Sequence, residues 1–215
     1  MPSFLHLGLV KDYMDVKIAK KLLREKIWTE MTEKKVATFP LPCFGRVPNF
    51  VGSEKAADKV RLLDEWKRAK VVFANPDSPQ RKVRENVLKE GKLLVMASPR
   101  LKHDFIIIEP YKVEGKEKHA STIRGAFKFG KETTEFPKPD LIITSCVAVD
   151  NKGHRLGKGH GYGDTEIRVI KEKFGEIPVV TTVHDLQVVE VVPFESHDEG
   201  VDIIVTPTQI VRVKS

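Results

Sequence analysis

An open α/β fold, with a mostly parallel sheet flanked by helices and an antiparallel edge, is the class this sequence predicts, and three observations predict it. Short apolar runs alternate with amphipathic stretches along most of the 215 residues. Val71–Ala74 and Leu93–Ala97 flank a helical stretch from Gln80 to Glu90, the sequence form of a strand-helix-strand unit. Both runs are apolar throughout, as buried parallel strands are.

The elements follow in order. Asp15 can cap a helix start, and Val16 to Lys35 reads as an amphipathic helix with Ala19, Leu22, Leu23 and Ile27 on its apolar side. Lys20 and Arg24, four residues apart, share a face. Spacing alone favours a pair of solvated cations, although two adjacent positive charges also suit a polyphosphate. Thr38 to Gly52, with Pro40, Pro42 and Pro48, is a connection that cannot continue a helix, and Ser53 to Ala69 is a second helical pattern. Further strands are predicted at Phe105–Ile108, Leu141–Val149, Val179–Val183, Val188–Val192 and Ile203–Val205, with helices around Ile123–Phe129 and Thr165–Phe174. The strands after Pro178 are too closely spaced for helical crossovers, which puts the antiparallel edge among them. Trp28 and Trp66 fall within helical patterns and read as packing residues.

The length suits one domain over residues 1–215. No apolar run approaches the roughly 18 residues of a membrane span, and no apolar leader opens the chain. Cys43 and Cys146 have no nearby partner cysteine or metal-ligand spacing, so a cytoplasmic protein with reduced thiols is expected. The net charge of +7 favours anionic partners, but 37 basic residues scattered among 30 acidic ones describe a salt-bridged surface first. A phosphate-bearing ligand and RNA are the remaining readings. RNA is the less favoured, because no aromatic-basic alternation of an RNA-binding module is present.

The informative segment is Arg155-Leu-Gly-Lys-Gly-His-Gly-Tyr-Gly-Asp164, between a strand and a helix. Alternating Gly157, Gly159 and Gly161 let backbone N–H groups turn towards a ligand, and a helix start just beyond adds a positive dipole end, the physics of phosphate binding. Arg155, Lys158 and His160 add side-chain donors. Asp164 has two readings, a Mg²⁺ ligand or a helix N-cap. The pattern matches neither the Walker A loop nor the dinucleotide fingerprint.

Three segments, Asp140-Leu-Ile-Ile143, Val147-Ala-Val-Asp150 and Gly153 to Asp164, resemble the signature of 5-formyltetrahydrofolate cyclo-ligases, also called methenyltetrahydrofolate synthetases. Lys20-Lys-Leu-Leu-Arg24, Glu195-Ser-His-Asp198 and Asp202-Ile-Ile-Val-Thr206 resemble that family's terminal segments. Pro48-Asn-Phe50, Asn75 to Gln80, Ser98-Pro-Arg-Leu101 and Val183 to Gln187 resemble the methenyltetrahydrofolate synthetase domain-containing branch. The resemblance implies a Rossmann-like, cyclo-ligase-like layer arrangement and a ligase that uses ATP and Mg²⁺ to close 5-formyltetrahydrofolate, or a related reduced pterin, to the 5,10-methenyl form. It assigns Lys20, Arg24, Arg155 and the backbone of Gly157 to Gly161 to the phosphates, with Lys158 and His160 as further donors. Asp164 is assigned to Mg²⁺, and Tyr162 to the junction of nucleotide and substrate. Arg155 and Tyr162 are thereby the candidate catalytic residues. Two other readings stand beside it: the same nucleotide site with a different substrate, and a non-catalytic nucleotide- or RNA-binding protein.

This sequence departs from the family on the substrate side. Pro76-Asp-Ser-Pro-Gln-Arg-Lys82 stands where a Glu-x-x-Thr segment grips folate, so Asp77 is the candidate replacement carboxylate or else a turn residue. Gly163 replaces the second aromatic of Gly-Tyr-Tyr-Asp, and Ser145-Cys146 replaces a Pro-Gly pair. His184-Asp185 and His197-Asp198 lie near the ends of predicted strands, where open α/β sheets gather ligands, which makes His184 and Asp198 further substrate-binding candidates with Asp77 and Tyr162. Adjacent residues on a strand point to opposite faces, so neither pair reads as an acid-base dyad.

Overall fold

The computed structural model describes residues 4–98 and 105–213, with side chains from Val16 onward. Pro99 to Leu101 of the fourth matched segment lie outside the described residues. The chain opens on helix α1 (Phe4–Glu33), which begins well before Asp15 and leaves that residue inside the helix, not at its cap. The buried face also differs from the expected one. Leu22 is 59% exposed, whereas Lys20, Ile27, Trp28 and Met31 are buried. Lys20, Arg24, Ile27 and Met31 are spaced by three and four, so one stripe turns both cations inward.

A two-stranded ribbon, β1 (Ala37–Thr38) against β2 (Asn49–Phe50), closes the proline-rich connection. The second predicted helix is split into α2 (Ser53–Val60) and α3 (Asp64–Arg68) because Leu63, between them, is extended. Next come β3 (Val71–Ala74), α4 (Arg81–Lys89), β4 (Leu93–Ala97), β5 (Phe105–Ile108), α5 (Glu117–Ala120) and α6 (Ile123–Phe129). After them come β6 (Lys131–Thr133), β7 (Leu141–Thr144), β8 (Ala148–Asp150), β9 (Arg155–Leu156) and α7 (Tyr162–Phe174). The last strands are β10 (Val179–Thr182), β11 (Val188–Val189), β12 (Ile203–Val205) and β13 (Ile210–Arg212).

The main sheet has the order β13-β12-β10-β7-β3-β4-β5-β6. Its five middle strands, β12 to β4, are parallel; β13 and β5 run antiparallel to them, and β6 antiparallel to β5. The predicted class, an open and mostly parallel sheet between helices, is the one observed. The edges differ in detail. The antiparallel edge after Pro178 is made by β13, which the sequence pattern did not reveal, while β10 and β12 run parallel. Predicted Leu141–Val149 is two strands, because the chain leaves the main sheet after Thr144 and β8 joins a small sheet of order β11-β8-β9.

Alternation along the strands divides the core. Val72, Ala74, Leu94, Met96, Leu141 and Ile143 face α2, α4, α5 and α6. Phe73, Val95, Ile142 and Ile204 face Ile167 and Ile170 of α7. A third cluster joins Ile27, Trp28 and Met31 of α1 to Val147, Ala148 and Leu156, which seats the middle of α1, with Arg24, against the glycine segment. Trp66 and Trp28 are buried, as expected of packing residues.

Candidate active site

Strand β3 connects to β4 on one side, while β7 lies on its other side, so the strand order reverses between β3 and β7. Open α/β sheets bind ligands at the carboxyl ends of strands at such a point. Asn75 to Ser78 follow β3 there and Ser145 follows β7. Arg84 fixes the first of these segments from below. Its buried guanidinium donates to the carbonyls of Asn75, Asp77 and Ser121, and burial, opposed by Asp77, pulls its pKa down to about 10. Gln80 Nε2 donates to Thr144 O and Thr182 Oγ1, at 2.7 and 2.8 Å, tying the same segment to β7 and β10.

The glycine loop reaches this point from the β8–β9 hairpin. Asp150, 1% exposed, closes the hairpin by accepting the N–H groups of Lys152 and His154. Arg155 on β9 leads into the loop, and Gly161 ends it as the N-cap of α7 with φ 70°, where a side chain would be strained. The helix therefore starts at Tyr162, three residues before the predicted Thr165. Asp164 lies in the first turn and is not the N-cap; its Oδ1 accepts Arg155 Nη2 at 2.7 Å and the Glu199 N–H at 3.0 Å.

Two cavities adjoin at the loop, of about 460 and 620 Å³, and Arg155, Gly157, Gly161 and Asp164 line both. Lys20, Arg24, Gly159, Arg168, Glu195 and Asp198 line the smaller. Lys20 Nζ lies 2.6 Å from both Glu195 Oε2 and Asp198 Oδ2. Burial works against its charge, but the hydrogen bonds to Asp198 and Glu195 together outweigh it and hold its pKa above the ordinary value. Arg24 Nε donates to Gly157 O at 2.7 Å, and burial lowers its pKa against the pull of Asp198 and Asp164. With Lys17, five cationic side chains beside glycine backbone form a donor set that suits a polyphosphate. Asp164, Glu195 and Asp198 are the carboxylates that could share Mg²⁺ with phosphate oxygens. Glu195, His197 and Asp198 bring one ligand atom each within 4.8 Å of one another.

Asn75, Asp77, Ser145, Lys158, His160, Tyr162 and Glu166 line the larger cavity. Asp77 is its organising group. Its Oδ1 pairs with Lys158 at 3.0 Å, and its Oδ2 accepts from Ser145 at 2.8 Å and Asn75 at 3.2 Å. His160 stacks on Tyr162, with ring centroids 5.8 Å apart and planes 10° apart. Glu166, 5% exposed, has its pKa pushed up to about 8 by burial and by Asp77, against Arg155 and Lys158.

The four substrate-binding candidates thus separate. Asp77 and Tyr162 line the larger cavity, Asp198 lines the smaller, and His184 lines neither. His184 caps a short helical turn, its Nδ1 accepting the Leu186 N–H at 3.1 Å and its own N–H donating to Gln187. Sequence reasoning did not single out Glu166, Arg84, Ser145 or Asn75 as individual site residues. For Glu166 a signal existed: four residues after Tyr162, it shares that residue's helical face once the helix starts at Tyr162.

A doubly wound α/β sheet carries, at its switch point, a cation-lined glycine loop between two adjoining cavities. The chain belongs to the 5-formyltetrahydrofolate cyclo-ligase family, whose pattern matches residues 16–207. It is 37% identical over 205 residues to the methenyltetrahydrofolate synthase domain-containing protein of Bos taurus, covering 90% of this chain and 54% of that one. To the Homo sapiens protein of the same description it is 36% identical over 208 residues, covering 91% and 54%. The chain therefore spans about half the length of these curated relatives. The solved structure of Aquifex aeolicus 5,10-methenyltetrahydrofolate synthetase superposes with a TM-score of 0.59 at 23% identity, covering 92% of this chain and 94% of that one, a likeness of fold.

Proposed function

We propose that residues 1–215 act as one unit that converts 5-formyltetrahydrofolate, or a related reduced pterin, to its 5,10-methenyl form with consumption of ATP and Mg²⁺. The observation that carries this reading is the shared wall: Arg155, Gly157, Gly161 and Asp164 line both cavities, so a phosphoryl donor in the smaller and an acceptor in the larger would meet across them. Positioning and charge neutralisation are the main demands of such a transfer.

In this reading Lys20, Arg24 and the glycine backbone hold the phosphates, and Arg155 neutralises charge on the group in transit. Bound Mg²⁺ would add charge neutralisation at Asp164. The formyl oxygen attacks the γ-phosphorus and ADP leaves, forming an iminophosphate. N10 then closes on the formyl carbon and gives up its proton, and phosphate departs with the former formyl oxygen, carrying that proton or releasing it to solvent. Tyr162 and His160 shield the junction from water, and Asp77 orients the acceptor.

Purified protein incubated with ATP, Mg²⁺ and 5-formyltetrahydrofolate is expected to generate the methenyl chromophore, with strong loss in Asp164→Ala. Absence of signal above that control, with ATP binding retained, would transfer the site to another substrate.

A further inference from the structure

Charged groups around the two cavities are nearly all paired: Arg155 with Asp164, Lys158 with Asp77, and Lys20 with Glu195 and Asp198. Among the buried carboxyls of these walls, Glu166 is not. It is 5% exposed and lines the larger cavity, yet among the described residues it shows no hydrogen bond or ion pair. Two more buried polar atoms on the same wall also lack a partner, Asn75 Oδ1 and Arg155 Nε. A carboxyl, an amide oxygen and a guanidinium N–H therefore converge on one cavity with hydrogen-bonding capacity unspent.

Such groups destabilise a fold unless something pairs them, and a ligand is what the cavity admits. Neighbouring residues do not answer Glu166. Arg155 donates Nη2 to Asp164, and Lys158 is held by Asp77. Unpaired and buried, Glu166 holds its proton up to about pH 8, and two adjacent N–H donors in one plane favour the ionised form, whose two oxygens are complementary to them. An aminopyrimidine edge, with its exocyclic amine beside a ring N–H, presents that pair, and the Asn75 oxygen adds an acceptor.

We infer that Glu166 is a substrate-recognition residue of the larger cavity, holding the aminopyrimidine edge of the reduced pterin through paired hydrogen bonds. This deepens the function proposed above and rests on it. A ring carbonyl or ring nitrogen would fall to Arg155 Nε, whose donor is open. ATP, placed in the smaller cavity, is not read by Glu166, which does not line it.

The test is steady-state turnover of 5-formyltetrahydrofolate, with equilibrium binding of the same compound in the absence of ATP, for the full chain and for Glu166→Gln and Glu166→Ala. Both variants are expected to raise KM and Kd for the folate by about tenfold or more, since one amide N–H then opposes a donor or the partner is gone. The KM for ATP stays within about threefold, because only the larger cavity is altered. Thermal midpoints are expected to stay level or rise, as removing a partnerless buried carboxyl relieves the fold. Wild-type folate constants in both variants would overturn the inference alone. So would a parallel rise in the KM for ATP, or a fall in thermal midpoint that accounts for the loss. Failure of the wild-type protein to bind or convert the folate would overturn the proposed function and this inference together.

Discussion

Lys158 Nζ lies 3.0 Å from Asp77 Oδ1, so the glycine loop and the segment after β3 are joined by an ion pair across the larger cavity. The pair is partly exposed, at 30% and 22% of the two side chains. Its contribution to stability is therefore small, under about 1 kcal/mol. Its position matters more, because Asp77 also gathers Ser145 and Asn75. Asp77→Asn is expected to shift the unfolding free energy by less than about 1 kcal/mol while lowering turnover about tenfold or more. Urea denaturation beside the chromophore assay checks the split; a parallel loss of both would make Asp77 structural.

Lys20 answers two carboxylates at once. Lys20→Ala would leave Glu195 and Asp198 facing each other with side chains only 14% and 12% exposed. Breaking such a pair on one side strands the remaining charge, and a loss of about 3 kcal/mol is expected. Nucleotide binding should fall with it. Adding Glu195→Gln to Lys20→Ala is expected to recover part of the stability and none of the nucleotide affinity, which denaturation and nucleotide titration resolve separately.

The strands that alternate with helices were legible because buried parallel strands are continuous apolar runs: Val71–Ala74 and Leu93–Ala97 have the predicted bounds, and the antiparallel but equally apolar Phe105–Ile108 has them too. Less legible were elements whose limits depend on tertiary pairing. Leu141–Val149 is one apolar run, yet it serves two sheets. The polar-flanked Ile210–Arg212 is a strand because β12 offers it an edge. At the site, the glycine loop was readable from its local pattern, whereas the spacing of Lys20 and Arg24 favoured solvated cations and only the family resemblance gave them a role, since their inward turn is set by the packing of α1. Arg84 was hidden for the same reason, whereas the face Glu166 shares with Tyr162 was missed because the helix starts three residues before the predicted Thr165. A charged residue in an amphipathic helix carries no local mark of which face it will occupy.

Gly163 adjoins Arg155, and that neighbour explains what fits there. A Cβ at Gly163 would lie 3.0 Å from Arg155 Nη1 and 3.2 Å from Nη2. The guanidinium, which meets Asp164 at 2.7 Å, would have to give by a few tenths of an ångström. Gly163→Ala is expected to destabilise the protein by about 1 kcal/mol through overpacking. Turnover falls further, by about tenfold to a hundredfold, since the group shared by both cavities is displaced. Gly175→Ala, at a position where a Cβ meets nothing, is strained by its positive φ of 82° but is remote from Arg155, and serves as the control that loses stability without that drop in turnover.

His184 offers a pH-dependent test away from both cavities. Its Nδ1 must remain unprotonated to accept the Leu186 N–H. Burial lowers its pKa, with the Asp185 charge opposing. In the unfolded chain the ring titrates near about pH 6.5, so below that pH the unfolded state binds more protons than the folded one. The stabilising contribution is therefore complete above about pH 6.5 and is lost as pH falls through the folded-state pKa. His184→Asn retains a capping oxygen that does not titrate, and its denaturation midpoint is expected to fall less than wild type on acidification. Above neutrality the two profiles run parallel, while His184→Ala loses about 1 kcal/mol at every pH where the cap is intact. Turnover near neutral pH stays at the wild-type level in His184→Asn, because the ring lines neither cavity. Identical acid profiles for wild type and His184→Asn would assign the acid sensitivity to another group.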